Sequence, residues 1–286
     1  MEKAHGGSGK VWLITGCVRG LGRALAEAVL ARGDRLVATA REAQSLASLQ
    51  QLAPQRVQAH ALDLGREQQV TGVVAAAIAA FGRIDVLVNN AGYGLAGAVE
   101  EVSDAEARAQ LDANVFGTLS LVRAVLPGMR ARGSGHILQI SSASGFVSSP
   151  GLGLYNASKF ALEGYSEALA QEVAPFGIRV SIIQPGPFRT DWAGPSLATP
   201  RHSIAAYADT AHKTIATLNG YSGKQPGDPA KAAAAMIEVV ESAHPPLRLP
   251  LGEGALNRIR GKLKALTEEL AAWEQLTLAT SFPPGT

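Results

Sequence analysis

Short apolar runs alternate with longer amphipathic stretches along most of the chain. The apolar runs are rich in valine, leucine and isoleucine, which is typical of strands buried on both faces of a parallel sheet. They occupy residues 11–14, 36–40, 57–61, 86–88, 136–140, 179–183 and 247–251. Strands that alternate with helices predict right-handed strand–helix–strand units. We therefore expect an α/β fold: a single, doubly wound, Rossmann-like domain over residues 10–286, with a parallel seven-stranded sheet and helices on both faces.

The stretches between these runs carry apolar residues at every third or fourth position, which is the spacing of one helix face. The predicted helices include residues 42–52, 70–81, 155–173, 204–218 and 228–242. A further helix begins near Leu21, and another carries an apolar face over residues 111–126. We expect Pro127 to end that helix, because proline has no N–H for the helical hydrogen-bond ladder.

A last apolar stripe follows the final predicted strand and recurs at alternating steps of three and four residues. Its members are Leu256, Ile259, Leu263, Leu266, Leu270 and Trp273. The spacing predicts a C-terminal helical extension over about 252–275. The stripe either packs on its own domain, the commoner outcome, or forms a seam with a second subunit, which would make the protein a homo-oligomer.

Composition excludes several classes of function. The net charge is only +2 over 286 residues, which argues against a nucleic-acid-binding surface, and no apolar run is long enough to span a membrane. Cys17 is the single cysteine, which suits a reducing, cytoplasmic location. The histidines are scattered outside any metal-binding motif, so we expect no catalytic metal. Residues 1–9 are polar and glycine-rich and are expected to form a disordered tail.

A glycine-rich loop follows the first predicted strand and precedes a helix. It contains Gly16, Gly20 and Gly22. A strand, a glycine turn and a helix N-terminus together present backbone N–H groups that bind a pyrophosphate well. Such a loop can also be purely structural. The other polar motifs, however, also follow predicted strands, and doubly wound sheets bind ligands at those carboxyl ends.

Tyr155 and Lys159 are candidates for acid–base chemistry. They are four residues apart on a predicted helix and therefore lie on one face, one turn apart. An ammonium group near a phenol favours the phenolate and would lower the pKa of the tyrosine toward neutrality, where it can act as an acid and a base. The spacing alone is common on helices, so this interpretation depends on the motifs around it.

Six motifs, in order over residues 11–190, together resemble the short-chain dehydrogenase/reductase family of the shorter, single-domain kind. They are TGxxxGxG at 15–22, NNAG at 89–92, Asn114, Ser142, YxxxK at 155–159, and a Pro-Gly pair at 185–186 followed by Thr190. The resemblance implies a nicotinamide dinucleotide cofactor and hydride transfer between a carbonyl and an alcohol.

The resemblance also implies a role for each matching residue. Tyr155 would be the general acid/base, Ser142 would hydrogen-bond the substrate oxygen, and Asn114 would hold a water that relays the proton. Lys159 would lower the pKa of the tyrosine and bind the nicotinamide ribose. The remaining implied cofactor contacts are Gly16, Gly20, Leu21, Gly22, Asp63, Leu64, Asn90, Ala91, Gly92, Pro185, Gly186 and Thr190. Asp63 would accept from the adenine amine, although it could also cap a helix.

The charges after the second strand predict NADP rather than NAD. An acidic residue at that strand end would bind a free ribose 2′-hydroxyl, and here the sequence has Arg41 instead. Arg19 in the glycine loop adds a second guanidinium, and two such groups suit a phosphate dianion. Glu42 would partly offset Arg41.

Residues 187–227 are rich in proline, glycine and serine and are expected to form a lid over the substrate. Apolar and aromatic residues flank the motifs and predict a pocket for a bulky, apolar carbonyl or alcohol rather than a sugar. They are Tyr93, Phe146, Leu152, Phe188 and Trp192. Some of these aromatic residues could instead merely pack the lid.

The sequence therefore predicts an NADP-dependent ketoreductase or alcohol dehydrogenase that acts on a small-molecule substrate. The alternative is a non-catalytic, redox-sensing protein that binds a dinucleotide on the same fold, because fold does not determine function. The presence of Asn114, Ser142, Tyr155 and Lys159 together favours the enzyme, since a sensor does not need a proton relay.

Overall fold

Seven parallel strands form one sheet in the computed structural model, which describes residues 9–194 and 197–282. The strands in chain order are β1 (Val11–Thr15), β2 (Arg35–Ala40), β3 (Val57–Ala61), β4 (Val86–Asn89), β5 (Gly94–Leu95), β6 (Gly135–Ile140), β7 (Ile178–Pro185), β8 (Leu197–Ala198) and β9 (Arg248–Leu251). The sheet order is β3-β2-β1-β4-β6-β7-β9, and β5 pairs with β8 separately. The predicted seven-stranded parallel sheet is confirmed.

The helices connect successive strands. They are α1 (Gly20–Ala31), α2 (Ala47–Leu52), α3 (Glu67–Phe81), α4 (Asp104–Leu111), α5 (Gly117–Arg132), α6 (Gly153–Val173), α7 (Lys213–Gly220), α8 (Pro229–Glu241) and α9 (Glu253–Leu278). Asp228 caps α8 as its sequence predicts: its side chain accepts from the Ala230 N–H at 2.8 Å, and proline follows at the first helical position.

Helices cover both faces of the sheet, as predicted. Alternate residues of a strand point to opposite faces, so Trp12 and Ile14 of β1 lie in one core with residues of α1, α2 and α8. Leu13 lies in the other core with residues of α3, α5 and α6. Because β1 is buried on both sides, its apolar residues are continuous rather than alternating with polar ones.

The order in which strands are added to the sheet changes direction between β1 and β4. Strand β1 pairs with β2 on one side and with β4 on the other, and both pairings are parallel. The connections that leave β1 and β4 therefore run to opposite sides and leave a crevice at the carboxyl ends of the strands. The glycine loop and the NNAG loop follow these two strand ends.

The structure corrects the predicted end of the long helix that precedes β6. A π-helical stretch, Asp112–Phe116, links α4 to α5, and α5 continues through Pro127 to Arg132. Proline deprives the carbonyl of residue 123 of its helical partner. Both Arg123 and Pro127 are exposed, so water can satisfy that carbonyl. The helix ends instead at Gly133, whose φ of 66° suits a left-handed cap.

The proposed lid, residues 187–227, leaves and rejoins the domain at one point. The Arg189 N–H donates to the Gly227 carbonyl at 2.9 Å, and the Gly227 N–H donates to the Pro187 carbonyl at 3.1 Å. The helix predicted there consists of a 3₁₀ turn, a π-helical turn and α7. Residues 195–196 of this segment lie outside the described residues.

One buried carboxylate ties the proposed lid to the loop after β5. Glu101 accepts from the Ile204 N–H at 2.7 Å, from His212 Nε2 at 2.7 Å and from the Ala98 N–H at 2.8 Å. These donors, the Ile204 N–H first, lower the pKa of Glu101 to about 2. The segment is therefore held to the domain by a carboxylate that is ionised at neutral pH.

The C-terminal helix is longer than predicted and packs only at its start. Ala255 and Ile259 are buried, whereas Leu270 is 71% and Trp273 61% exposed. None of the helices within the described residues combines the length and apolarity that crossing a bilayer requires. Residues 1–8 of the predicted N-terminal tail lie outside the described residues.

Candidate active site

A cleft of about 1680 Å³ lies along the carboxyl ends of the strands. This volume exceeds the roughly 300–1,000 Å³ of a typical small-ligand pocket, so the cleft has room for a dinucleotide and a second molecule. The glycine loop and the end of β2 line one end, and Tyr155, Trp192 and α7 line the other.

The glycine loop and the NNAG loop are joined by hydrogen bonds. Asn90 Nδ2 donates to the carbonyls of Thr15 at 2.8 Å and Gly16 at 3.1 Å. Thr15 Oγ1 accepts from the N–H groups of Asn90 and Ala91. A Cβ on Gly22 would lie 2.3 Å from Asn90 Nδ2, so only glycine permits this approach. Gly22 thus does not line the cleft but holds its two loops together.

Helix α1 begins at the cleft without a side-chain cap. Its N-cap residue is Arg19, whose side chain cannot accept, and within the described residues no side chain caps the first turn. Gly16 and Gly20 have positive φ, at 73° and 63°, which turns the backbone into the helix. Uncapped N–H groups at a helix N-terminus attract an anion. These features fit a dinucleotide pyrophosphate.

The residues expected to contact the adenosine half of the dinucleotide line the same cleft. Arg19, Arg41, Glu42 and Asp63 all line it. Arg41 is exposed and makes no hydrogen bond or ion pair with another described residue, so its guanidinium is available to a ligand. Asp63 accepts from the Gly65 N–H at 3.0 Å, and Arg66 lies 3.4 Å away.

The other residues implied as cofactor contacts also line the cleft. They are Gly16, Gly20, Leu21, Leu64, Asn90, Ala91, Gly92, Tyr155, Lys159, Pro185, Gly186 and Thr190. Of the implied cofactor set, Gly22 alone does not line it.

Tyr155, Ser142 and Lys159 lie together where β6 and α6 meet the cleft. Ser142 follows β6 and starts a 3₁₀ turn by accepting from the Ser144 N–H at 3.0 Å, and its hydroxyl also hydrogen-bonds Tyr155. Tyr155 is only 5% exposed. Lys159, one turn further along α6, donates from Nζ to the Ile140 carbonyl at 2.8 Å.

The charge state of the tyrosine differs from the sequence expectation. Burial raises the pKa of Tyr155 to about 12, and the hydrogen bond with Ser142 opposes this only in part. The Lys159 ammonium lies 5.9 Å from the ring centroid and donates to the Ile140 carbonyl, and its charge does not outweigh the effect of burial. Burial lowers the pKa of Lys159 to about 8, against the opposing charge of Glu163. The phenol is therefore protonated at neutral pH.

Asn114 lies behind the cleft in the π-helical stretch rather than on its surface. Its Oδ1 accepts from the Tyr93 N–H at 3.2 Å, and its Nδ2 donates to the Tyr93 carbonyl at 3.0 Å and to Ser158 Oγ at 3.1 Å. A Cβ on Gly92 would lie 2.9 Å from Oδ1. The side chain thus links the NNAG loop to α6, with one lone pair of Oδ1 still able to accept.

The substrate end of the cleft is apolar. Tyr93, Leu152, Phe188 and Trp192 line it, and the rings of Trp192 and Tyr155 have centroids 5.1 Å apart. Phe146 does not line the cleft, in contrast to the prediction. The 3₁₀ turn that begins after Ser142 carries Phe146 past the opening, and periodicity cannot locate a residue in such a turn.

Sequence reasoning missed several residues at this end. Leu218 and Tyr221 of the proposed lid line the cleft, as does Arg258 of α9, which donates to the Val147 carbonyl and to Ser149 Oγ at 3.0 Å. Beneath the site, the buried Glu163 accepts from Gln184 Nε2 at 2.9 Å and Arg248 Nε at 2.8 Å. Of these residues, only Glu163 could have been found from the sequence, because it lies four residues after Lys159 and therefore on the same helix face.

The described part of the chain contains no cluster of side chains that could bind a metal ion. Within residues 9–194 and 197–282, no three histidine, cysteine, aspartate or glutamate side chains lie together as a metal site would require. Cys17 is buried, and burial raises the pKa of its thiol to about 12.

Comparison with protein families and curated proteins agrees with these features. The family model described as short chain dehydrogenase matches residues 10–200. Oxidoreductase BOA17 of Botryotinia fuckeliana is 41% identical over 273 residues, which cover 95% of this chain and 99% of that protein. The 3-ketodihydrosphingosine reductase of Bacteroides thetaiotaomicron is 34% identical over 85% of this chain and 88% of its own. Human retinol dehydrogenase 8 is 35% identical over 82% of this chain and 79% of its own.

Solved structures show the same fold. A short-chain dehydrogenase from Streptomyces avermitilis superposes with a TM-score of 0.90 at 43% identity, over 95% of this chain and all of that one. A Burkholderia phymatum short-chain dehydrogenase/reductase in complex with NAD has a TM-score of 0.81 at 26% identity, over 92% and 95% of the two chains. A metagenomic short-chain oxidoreductase in complex with NADP has a TM-score of 0.67 at 28% identity, over 85% and 97%.

Proposed function

Because the chain belongs to the short-chain dehydrogenase/reductase family of oxidoreductases, we propose that it is an NADPH-dependent reductase of bulky, apolar ketones. The observation that carries the proposal is a buried Tyr155 beside Ser142, in a cleft lined by a glycine-rich cradle and by apolar walls. A tyrosine hydroxyl so placed can donate the proton that a ketone takes up on oxygen as it takes up a hydride on carbon.

Each step in this proposal is assigned to a named group. The bound dinucleotide supplies the hydride. Ser142 donates a hydrogen bond to the carbonyl oxygen, keeping its own proton, and holds that oxygen beside Tyr155, which transfers the one proton that completes the alcohol. Lys159, anchored on the Ile140 carbonyl, contributes positive charge that favours the developing phenolate. Asn114 positions the NNAG loop and α6 through its amide, and the second lone pair of its Oδ1 would accept from the water that relays the proton.

Preference for NADP is supported by charge. Arg41 and Arg19 line the end of the cleft where a 2′-phosphate would bind, and no carboxylate ends β2. Relatives of this fold bind either dinucleotide, as the NAD and NADP complexes show, so the choice depends on such local charges. NADP is preferred because the exposed Arg41 guanidinium is available to a 2′-phosphate.

The substrate class is supported by the lining of the cleft. Leu152, Trp192, Leu218 and Tyr221 give it apolar and aromatic walls around the tyrosine. Two relatives are named for reactions of apolar substrates, a 3-ketodihydrosphingosine and retinol. We therefore expect ketones with large apolar substituents to be preferred over sugars and small polar ketones.

The direct test is a panel of ketones assayed by loss of NADPH absorbance, with the corresponding alcohols assayed in reverse. We expect turnover of large apolar ketones with NADPH at a higher kcat/KM than with NADH. Cofactor binding without turnover of any ketone, aldehyde or alcohol would contradict the proposal and favour the non-catalytic, redox-sensing alternative.

Replacing Trp192 with alanine should raise KM more for bulky ketones than for acetone-sized ones. The indole packs against the Tyr155 ring and borders the substrate end, so large substrates lose more apolar contact than small ones. Ratios of kcat/KM for a large and a small ketone measure the effect. Phe146→Ala is the matched control, because Phe146 lies outside the cleft and should leave the ratio unchanged. Equal losses for both ketones in Trp192→Ala would show that the indole only packs the proposed lid.

The pH profile of reduction should report Lys159. Its pKa of about 8 means that the ammonium is charged below that pH and neutral above it, whereas Tyr155, at about 12, stays protonated throughout. We expect kcat/KM for ketone reduction to fall as pH rises through about 8. In Lys159→Arg the guanidinium stays charged, so that decline should vanish even if activity is lower. A decline near pH 8 that persists in Lys159→Arg would assign it to another group.

A further inference from the structure

The second half of helix α9 extends beyond the domain with its apolar side chains uncovered. Leu263 is 50%, Leu270 71%, Trp273 61% and Leu276 61% exposed, and within the described residues buried positions of α9 are confined to Ala255 and Ile259. A surface helix normally turns its apolar face toward its own core. Here the face continues for about four turns past the last buried residue, which marks it as a contact surface.

The spacing of the stripe indicates that another helix covers it. Leu256, Leu263 and Leu270 recur every seven residues, and Ile259, Leu266 and Trp273 recur every seven residues three positions later. This is a heptad pattern with apolar a and d positions over three repeats. A period of 3.5 residues matches a left-handed pair of helices, whereas a helix on a flat surface keeps a period of 3.6.

The charges along α9 indicate what the second helix is. Residues 258–264 carry four cations, Arg258, Arg260, Lys262 and Lys264, whereas residues 268–274 carry three anions, Glu268, Glu269 and Glu274. Two copies in antiparallel orientation place the basic start of one helix opposite the acidic end of the other, which gives two attractive pairs against a single Glu269–Glu269 contact at the centre. Two parallel copies would place like charge on like charge, with Glu269 and Glu274 at the flanking g and e positions.

We propose that residues 263–278 of α9 pair with the same segment of a second copy of this chain as an antiparallel two-helix coiled coil. Leu263 packs in a layer with Trp273 of the second copy, and Leu266 with its Leu270. In this register Arg260 faces Glu274 of the second copy, and each pair occurs twice by symmetry. An anionic bilayer is a poorer occupant, because the three glutamates flank the most exposed part of the stripe.

The test is sedimentation velocity of the full-length protein over a range of concentrations. We expect a wild-type dimer and a Leu270→Glu monomer. Leu270 does not contact the core, so circular dichroism and ketone reduction should show that the variant remains folded. Gln275→Glu adds the same charge at the outward f position and should leave the dimer intact. A monomeric wild type, or a Leu270→Glu protein that dimerises as well as wild type, would overturn the proposal.

Charge reversal tests the orientation. Glu274→Arg should weaken the dimer about tenfold, because two attractive pairs become repulsive. Adding Arg260→Glu should restore the dimer. In a parallel pair Glu274 would instead face Glu269, so Glu274→Arg would strengthen association and overturn the antiparallel arrangement. Co-flotation of monomeric wild type with phosphatidylglycerol vesicles would identify a membrane surface as the occupant and would equally overturn it.

Discussion

Replacing Tyr155 with phenylalanine should lower kcat for ketone reduction about 100- to 10,000-fold, the range typical of a positioned general acid. The substitution removes one hydroxyl from a ring that is 5% exposed and packed against Trp192, so the shape of the site is retained. NADPH binding, measured by fluorescence titration, should change little. The loss should appear in kcat rather than in KM, because the proton is transferred only in the transition state.

The matched control for this prediction is Tyr165→Phe on the same helix. Tyr165 is also largely buried, and its hydroxyl hydrogen-bonds Thr118 Oγ1 at 2.8 Å and Gln139 Nε2 at 3.1 Å, but it does not line the cleft. Its loss should cost about 1 kcal/mol of folding free energy and leave kcat nearly unchanged. Retention of more than about a tenth of wild-type kcat in Tyr155→Phe would falsify the acid role.

Replacing Arg41 with alanine should weaken NADPH binding about 10- to 100-fold and leave NADH nearly unaffected. A charge-assisted contact to a phosphate contributes about 1.5–3 kcal/mol. NADH has no 2′-phosphate and therefore never makes this contact. The double variant Ala40→Asp with Arg41→Ala should invert the preference, because a carboxylate at the end of β2 repels the phosphate and accepts from a free ribose hydroxyl.

The measurement is kcat/KM for both cofactors in the wild type and each variant. Arg123→Ala is the matched control, since it removes an exposed arginine from α5, outside the cleft, and tests for a mere change in net charge. If the wild type prefers NADH, or if Arg41→Ala weakens both cofactors alike, the preference does not depend on Arg41 and the NADP proposal is wrong. The family assignment and the reductase proposal would remain.

Local pattern alone determined the framework of this protein. Apolar runs of three to five residues predicted all seven strands of the sheet, because a strand buried on both faces must be continuously apolar. The glycine loop and the Tyr155–Lys159 pair could also be located from the sequence, because backbone φ and helical period are properties of a few adjacent residues. From these, the position of the cleft at the carboxyl strand ends follows by topology.

Only the tertiary structure decided how these parts meet. Pro127 stays inside α5 because its side of the helix is exposed, and Phe146 lies outside the cleft because a 3₁₀ turn carries it past the opening. Lys159 donates to the Ile140 carbonyl, and burial keeps Tyr155 protonated. The stripe of α9 leaves the domain after Ile259. Each outcome depends on burial by residues distant in the chain, and desolvation and packing are properties of the assembled core that no local spacing contains.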